Sequence, residues 1–222
     1  MTDADPRALA MAFWGSAILA AAAFLDLPLR AWAAAQAPEA RAFWRFFTDL
    51  GDSGWMIAAT GGLTAAALLA RRRARGARLR RGLGDAAALS GLTFGAVAGL
   101  GLAAALVKLV VGRPRPKLWP EHGHLDLAPM AFDFKMNAFP SGHATTLFAL
   151  AAMLAMILPR WRVAILTLAA WAGLSRVAAG AHWASDVVAG AAFGYYGARA
   201  LARLAAARGI GFAPDLSPLR PG

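Results

Sequence analysis

The sequence predicts an all-α, polytopic membrane protein: six transmembrane helices with an interfacial helix between the first two. Three observations carry this. Apolar residues make up 59% of the 222, with a positive mean hydropathy, leaving too few polar side chains to cover a soluble globule of this size. Six apolar stretches recur, near 8–26, 55–70, 86–110, 143–159, 163–180 and 184–204, each approaching the roughly 20 helical residues that cross a hydrocarbon core. Seven arginines gather in the short connection between the second and third stretches.

The first stretch follows Met1-Thr2-Asp3-Ala4-Asp5 with only Arg7 as a positive flank. That is a weak basic leader for a cleaved signal peptide, so the stretch is read as a retained helix. Between the first two spans, Pro38 to Leu50 carries Phe43, Phe46, Phe47 and Leu50 at helical spacing, with Arg41, Arg45 and Asp49 among them. This reads as a helix lying on the outer leaflet, although a connection packed on the bundle would show the same pattern. Arg71, Arg72, Arg73, Arg75, Arg78, Arg80 and Arg81 then separate the second and third spans. By the positive-inside rule that loop is cytoplasmic.

In the third span Gly91, Gly95 and Gly99 lie four apart, as do Gly190 and Gly194 in the sixth. Such spacing lets membrane helices approach closely, within one bundle or between two copies. Gly112 to Phe139 is a long connection, and long ordered loops are often functional. Arg160 and Arg162, and the basic end from Arg199 to Arg208, fall on the same side as the Arg-rich loop. Both termini are therefore expected in the cytoplasm. Residues 1–208 read as one membrane domain, and 209–222, with prolines and no period, as a disordered cytoplasmic tail.

The chain has no cysteine, which excludes disulfides, thiolate catalysis and a Cys-based zinc site. The net charge of +11 is assigned to topology; the Arg-rich loop sits beside two spans and implies no nucleic-acid partner.

Against this apolar background three blocks stand out: Lys108, then after six residues Arg115-Pro116; Pro140-Ser141-Gly142-His143; and Ser175-Arg176, then His182 and Asp186. They supply three cations, two imidazoles and a carboxylate at the outer ends of helices three to six. Two unit charges about 4 Å apart attract by roughly 4 kcal/mol at an effective dielectric near 20. Lys108, Arg115 and Arg176 can thus hold a phosphate group, with the guanidiniums engaging two oxygens each. Ser141 and Gly142 precede a helix, so their backbone N–H groups are expected to face the anion. His182 and Asp186, four apart, share a helix face, so Asp186 can orient His182 as a neutral nucleophile while His143 protonates the leaving oxygen. Arg113, outside the blocks, reads as an interfacial cation. His122, His124 and Asp126 could ligate zinc, but alternating loop positions near a headgroup read as polar contacts. No metal and no other cofactor is expected.

The three blocks, in order and without departure, resemble the signature of the type 2 phosphatidic acid phosphatase (PAP2) superfamily, which also contains bacterial acid phosphatases and vanadium haloperoxidases. The resemblance implies a membrane-embedded lipid phosphatase of the bacterial inner membrane with its site facing the periplasm. It also implies a phosphohistidine on His182, oriented by Asp186, with His143 protonating the leaving group and then activating water. Undecaprenyl diphosphate is the favoured substrate, with phosphatidylglycerol phosphate, phosphatidic acid and lipid A 1-phosphate as other candidates. A lipid phosphotransferase using the same phosphohistidine, or a non-catalytic lipid-binding or transport protein, is the alternative. Oligomeric state is not legible.

Overall fold

The computed structural model describes residues 6–219. Met1 to Asp5, the leader of the first stretch, and Arg220 to Gly222, the end of the expected tail, lie outside the described residues. Eight α-helices are present among the described residues: α1 (Pro6–Phe24), α2 (Asp26–Ala34), α3 (Pro38–Asp49), α4 (Ser53–Arg73), α5 (Ala77–Val111), α6 (Gly142–Ile157), α7 (Arg162–Ala178) and α8 (Ala184–Ala206). Helices α1 and α4 to α8 coincide with the six apolar stretches.

The first stretch is not one straight rod. It breaks at Leu25 and continues as α2, bent by 43°. Pro28 supplies the reason, because its ring would clash with the Phe24 carbonyl in an unbroken helix, whereas the first turn of a new helix tolerates it. By length and composition Pro38–Arg73 and Ala77–Leu118 suffice to cross a bilayer, and the bent pair gives a third candidate span if it is counted as one. Helices α6 and α7, at 16 and 17 residues, are shorter. The helix expected between the first two spans is α3. It packs on α7, where Trp44 and Phe47 meet Trp171 at 5.2 and 6.1 Å between ring centroids, and runs on toward α4 across a short break.

The molecule is built inside out relative to a soluble protein. Large apolar side chains point outward, such as Leu63 on α4, Leu102 on α5 and Val163 on α7, at 63%, 65% and 74% exposure. The interior is instead rich in alanine: Ala96, Ala149, Ala152, Ala198 and Ala202 are buried together where α5, α6 and α8 meet. Small residues let helix backbones come close, which is the main source of packing energy where lipid offers no hydrophobic contrast. Helix α6 lies at the centre, flanked by α5, α7 and α8. A Cβ on Gly190 would collide with the Ser141 carbonyl, and one on Gly194 with the Thr145 carbonyl. These two glycines therefore serve packing within the bundle.

Residues beyond α8 do not form the unstructured tail expected from 209. Phe212 is fully buried and Leu216 nearly so, both packed against the α5–α6–α8 core, and Phe212 bridges to Pro218. One buried aromatic and one leucine outweigh the prolines that suggested disorder.

At the other end of the bundle, α5 stops at Gly112, whose φ of 59° is left-handed and whose Cβ position is taken by the Ala128 carbonyl. The connection from α5 to α6 folds back on itself through Arg115 N–H to Lys135 O at 2.9 Å and Ala138 N–H to Arg113 O at 3.0 Å. It is thereby held over the ends of the helices. Replacing Gly194 by leucine is expected to separate α8 from α6 and destabilise the protein by at least ~2 kcal/mol, read as a lowered unfolding midpoint in detergent. The same change at Gly62, which faces open space, should be nearly silent.

Candidate active site

Helices α6 and α8 begin side by side, and this brings the second and third blocks together. Ser141 is the N-cap of α6: its Oγ accepts from the Ala144 N–H at 3.4 Å, and its own N–H donates to the Asp186 carbonyl at 2.9 Å. That bond corrects one expectation. The Ser141 N–H does not face the site; it ties α6 to α8. The N–H groups of Gly142 and His143, in the first turn of α6, are the ones left for an anion.

Lys108, in the last turn of α5, donates Nζ to the carbonyls of Asn137 at 3.0 Å and Ala138 at 3.4 Å, beside Gly142. Arg115 packs its guanidinium 4.0 Å from the centroid of the Phe134 ring and donates Nε to the Phe134 carbonyl at 3.2 Å. Arg176, near the end of α7, is held differently, with a buried Nε that has no hydrogen-bond partner among the described residues. Its neighbour Ser175 is fixed by Thr48 of α3, Oγ1 to Oγ 3.1 Å. His143 lies within electrostatic reach of Lys108, Arg176 and His182, and its ring packs against Gly51, 3.3 Å from where a Cβ there would stand. The structure thus gathers Lys108, His143, Arg176 and His182 at one place.

His182 sits in the turn between α7 and α8, almost wholly buried, with its N–H donating to the Arg176 carbonyl at 3.2 Å. Its Nδ1 is 3.5 Å from Asp186 Oδ2. This is long for a hydrogen bond, as unliganded catalytic contacts often are, and it leaves Nε2 as the ring's free lone pair. Burial lowers the His182 pKa to about 4, and the Asp186 carboxylate opposes that shift without cancelling it. The ring is therefore neutral across the physiological range and suited to nucleophilic attack.

A model of the PAP2 superfamily matches residues 86–210, more than half the chain. The chain belongs to the PAP2 superfamily. Family membership together with likeness to phosphatases over most of its length makes it a phosphatase, a hydrolase. It is 38% identical over 179 residues to lipid A 1-phosphatase of Rhizobium johnstonii, covering 78% of this chain and 71% of that one. Against lipid A 1-phosphatase of Rhizobium etli the identity is 36%, covering 78% and 75%. The fold resembles the crystal structure of a transmembrane PAP2-type phosphatidylglycerolphosphate phosphatase from Bacillus subtilis, with a TM-score of 0.58 at 20% identity over 87% of this chain and 92% of that one.

Two residues of this PAP2 site escaped the sequence reading. Arg113 is not an interfacial cation. It is buried, and its guanidinium spans two carboxylates, Nη1 to Asp186 Oδ1 at 2.6 Å and Nη2 to Asp26 Oδ2 at 2.8 Å. The Trp183 ring lies 5.7 Å from it, and its Nε donates to the His124 carbonyl at 2.8 Å. Asp26, the first residue of α2, also accepts from Ser185 N–H at 2.9 Å and Ser185 Oγ at 2.7 Å. With Asp186 Oδ2 accepting from the Trp183 N–H at 2.9 Å, every oxygen of both carboxylates is engaged. An ionisable residue in an apolar stretch is a signal by itself. Asp26, between Leu25 and Leu27, carried that signal; Arg113, flanked by other cations, did not.

His122, His124 and Asp126 do not converge as a ligand set. The His124 ring stacks near Trp119 and Trp183, while Asp126 accepts from the Gly123 N–H at 2.7 Å.

Asp26 and Arg113 hold Asp186 in place. Asp26→Ala strips one partner from a buried pair and should cost ~3–5 kcal/mol of stability. Asp26→Asn, which keeps the shape, is expected to lower kcat by at least tenfold with KM changed less than threefold, measured on folded protein by phosphate release. Equal changes in both constants would mark Asp26 as a purely structural residue.

Proposed function

We propose that this PAP2 phosphatase is a multi-pass protein of the bacterial inner membrane, with six crossings, both termini cytoplasmic and its site at the periplasmic face. It hydrolyses a lipid phosphomonoester through a phosphohistidine. The observation that carries the reading is the meeting of a buried neutral His182, backed by Asp186, with His143 and the cations Lys108 and Arg176. Positive charge on one side and a nucleophile on the other are what in-line displacement at phosphorus requires.

In this mechanism Lys108, Arg115, Arg176 and the first-turn N–H of Gly142 hold the phosphate oxygens, and the Ser141 hydroxyl keeps that turn in place. His182 Nε2 attacks phosphorus as the bond to the lipid oxygen breaks, and that oxygen leaves with its electron pair and takes a proton from His143. Asp186 stabilises the charge that develops on the His182 ring. Water then attacks the phosphohistidine, giving its proton to His143; the P–N bond breaks, the pair returns to His182, and inorganic phosphate departs. The cations take the part that a metal plays in other phosphoryl transfers, so no metal is required.

Lipid A 1-phosphate becomes the favoured substrate in place of undecaprenyl diphosphate, supported by two relatives of that name alike over most of the chain. The test is phosphate release by purified protein in detergent with chelator present, across lipid A, undecaprenyl diphosphate, phosphatidylglycerol phosphate and phosphatidic acid. Release from lipid A that survives the chelator and falls at least ~10³-fold in His182→Ala is expected. Release that stops with chelator refutes metal independence, and label passing to a second lipid would make the protein a phosphotransferase.

The pH dependence follows from the protonation states. A neutral His182 with its pKa lowered to about 4, against an ordinary value of ~6.5, remains competent well into acid. His143 must begin protonated, so the rate falls on the alkaline side. The profile of kcat/KM is expected to be bell-shaped, retaining activity at about pH 5; a rate still climbing above about pH 9 refutes the assignment.

A further inference from the structure

Beside the catalytic residues lies a second basic feature that the mechanism does not use. A cavity of about 420 Å³ opens between α2, α3, the Pro116–Leu118 turn and the α7–α8 connection. That volume falls in the ~300–1,000 Å³ range of small-molecule sites. Arg30, Arg41, Arg45 and Lys117 line it, and no carboxylate does. Arg41 and Arg45 stand one turn apart on α3, so both project from the same face.

Two of these guanidiniums are held in place by neutral groups. Arg41 Nη2 donates to the Ala34 carbonyl at 2.9 Å. Arg30 Nη2 reaches the Trp119 carbonyl at 3.4 Å, with its guanidinium carbon 5.9 Å from the centroid of the Trp119 ring. Among the described residues none of the four forms an ion pair. Four like charges around one concavity repel unless an anion joins them. Topology does not account for them either, because the positive-inside rule places anchoring cations on the opposite face.

The cavity adjoins the site along the chain. Pro116 in its wall follows Arg115, and its Ala178–Gly180 wall links Arg176 to His182. The cavity walls are thus within two residues of Arg115, Arg176 and His182 along the chain, while the cations that line it are different ones.

We propose that this cavity binds a second anionic group, a phosphate, on the headgroup of the substrate, and so selects doubly phosphorylated lipids. The proposal deepens the lipid phosphatase reading and rests on it.

The test compares wild type, Arg41→Ala/Arg45→Ala and Arg41→Lys/Arg45→Lys in detergent. The substrates are a glycolipid with two phosphates and the same glycolipid with only the scissile one. The alanine pair is expected to raise KM for the doubly phosphorylated lipid at least tenfold, with kcat within twofold, and to leave the singly phosphorylated lipid unchanged. The lysine pair should restore most of the loss. An equal effect on both substrates, or none on either, overturns the proposal. An effect that appears only in vesicles containing phosphatidylglycerol, whichever substrate is used, also overturns it and assigns the arginines to the membrane surface. If wild type cleaves neither glycolipid, the substrate reading fails separately. The same variants are then compared on diacylglycerol pyrophosphate and phosphatidic acid, where the same selective loss on the doubly phosphorylated lipid supports the second site and its absence overturns it.

Discussion

The end of the bundle that carries the histidines depends on one buried guanidinium. Arg113 lies between Asp26 and Asp186 with no room for solvent. A buried carboxylate without a partner is costly, and two together are more so. The cation makes both tolerable, and in doing so fastens α2 to the start of α8. Because α2 is the continuation of a bent first helix, the first apolar stretch reaches Asp186 through the Asp26–Arg113 pair.

This arrangement sets the electrostatics of the site. The Asp26–Arg113–Asp186 group carries a net negative charge, and its charges face one another. Lys108 and Arg115 are tied only to carbonyls and a ring face, and the Arg176 Nε has no partner among the described residues, so these cations keep their charge uncompensated beside the histidines. In the proposed mechanism that charge meets the phosphate while Asp186 steadies the His182 ring. The helix contact below supports this arrangement: Gly190 lets the backbone of α8 lie against Ser141, and the Ser141 N–H to Asp186 carbonyl bond fixes the register of the two histidine-bearing segments.

Much of this was readable from the chain. The three blocks, Lys108 to Pro116, Pro140 to His143 and Ser175 to Asp186, carry the signature of the superfamily to which the chain belongs, and the apolar stretches mark the long helices. What escaped was long-range. Arg113 differs from its basic neighbours only by partners that lie 73 and 87 residues away in sequence. The Ser141 N–H was assigned to the anion because a helix start suggests it, and only the packing of α8 shows that it is already taken. Composition also misjudged the segment after 208, where prolines and glycines outnumber apolar residues but Phe212 finds a fitted place in the core.

That last contact ties the segment after α8 to three helices at once. Phe212 and Leu216 complete a cluster whose other members come from α5, α6 and α8. Helix α8 begins at the histidines and ends at this cluster, so its 23 residues are fastened at both ends, by Asp186 at one and by Phe212 at the other. A polar side chain at 212 would loosen the far end and leave the near end to hold the helix alone.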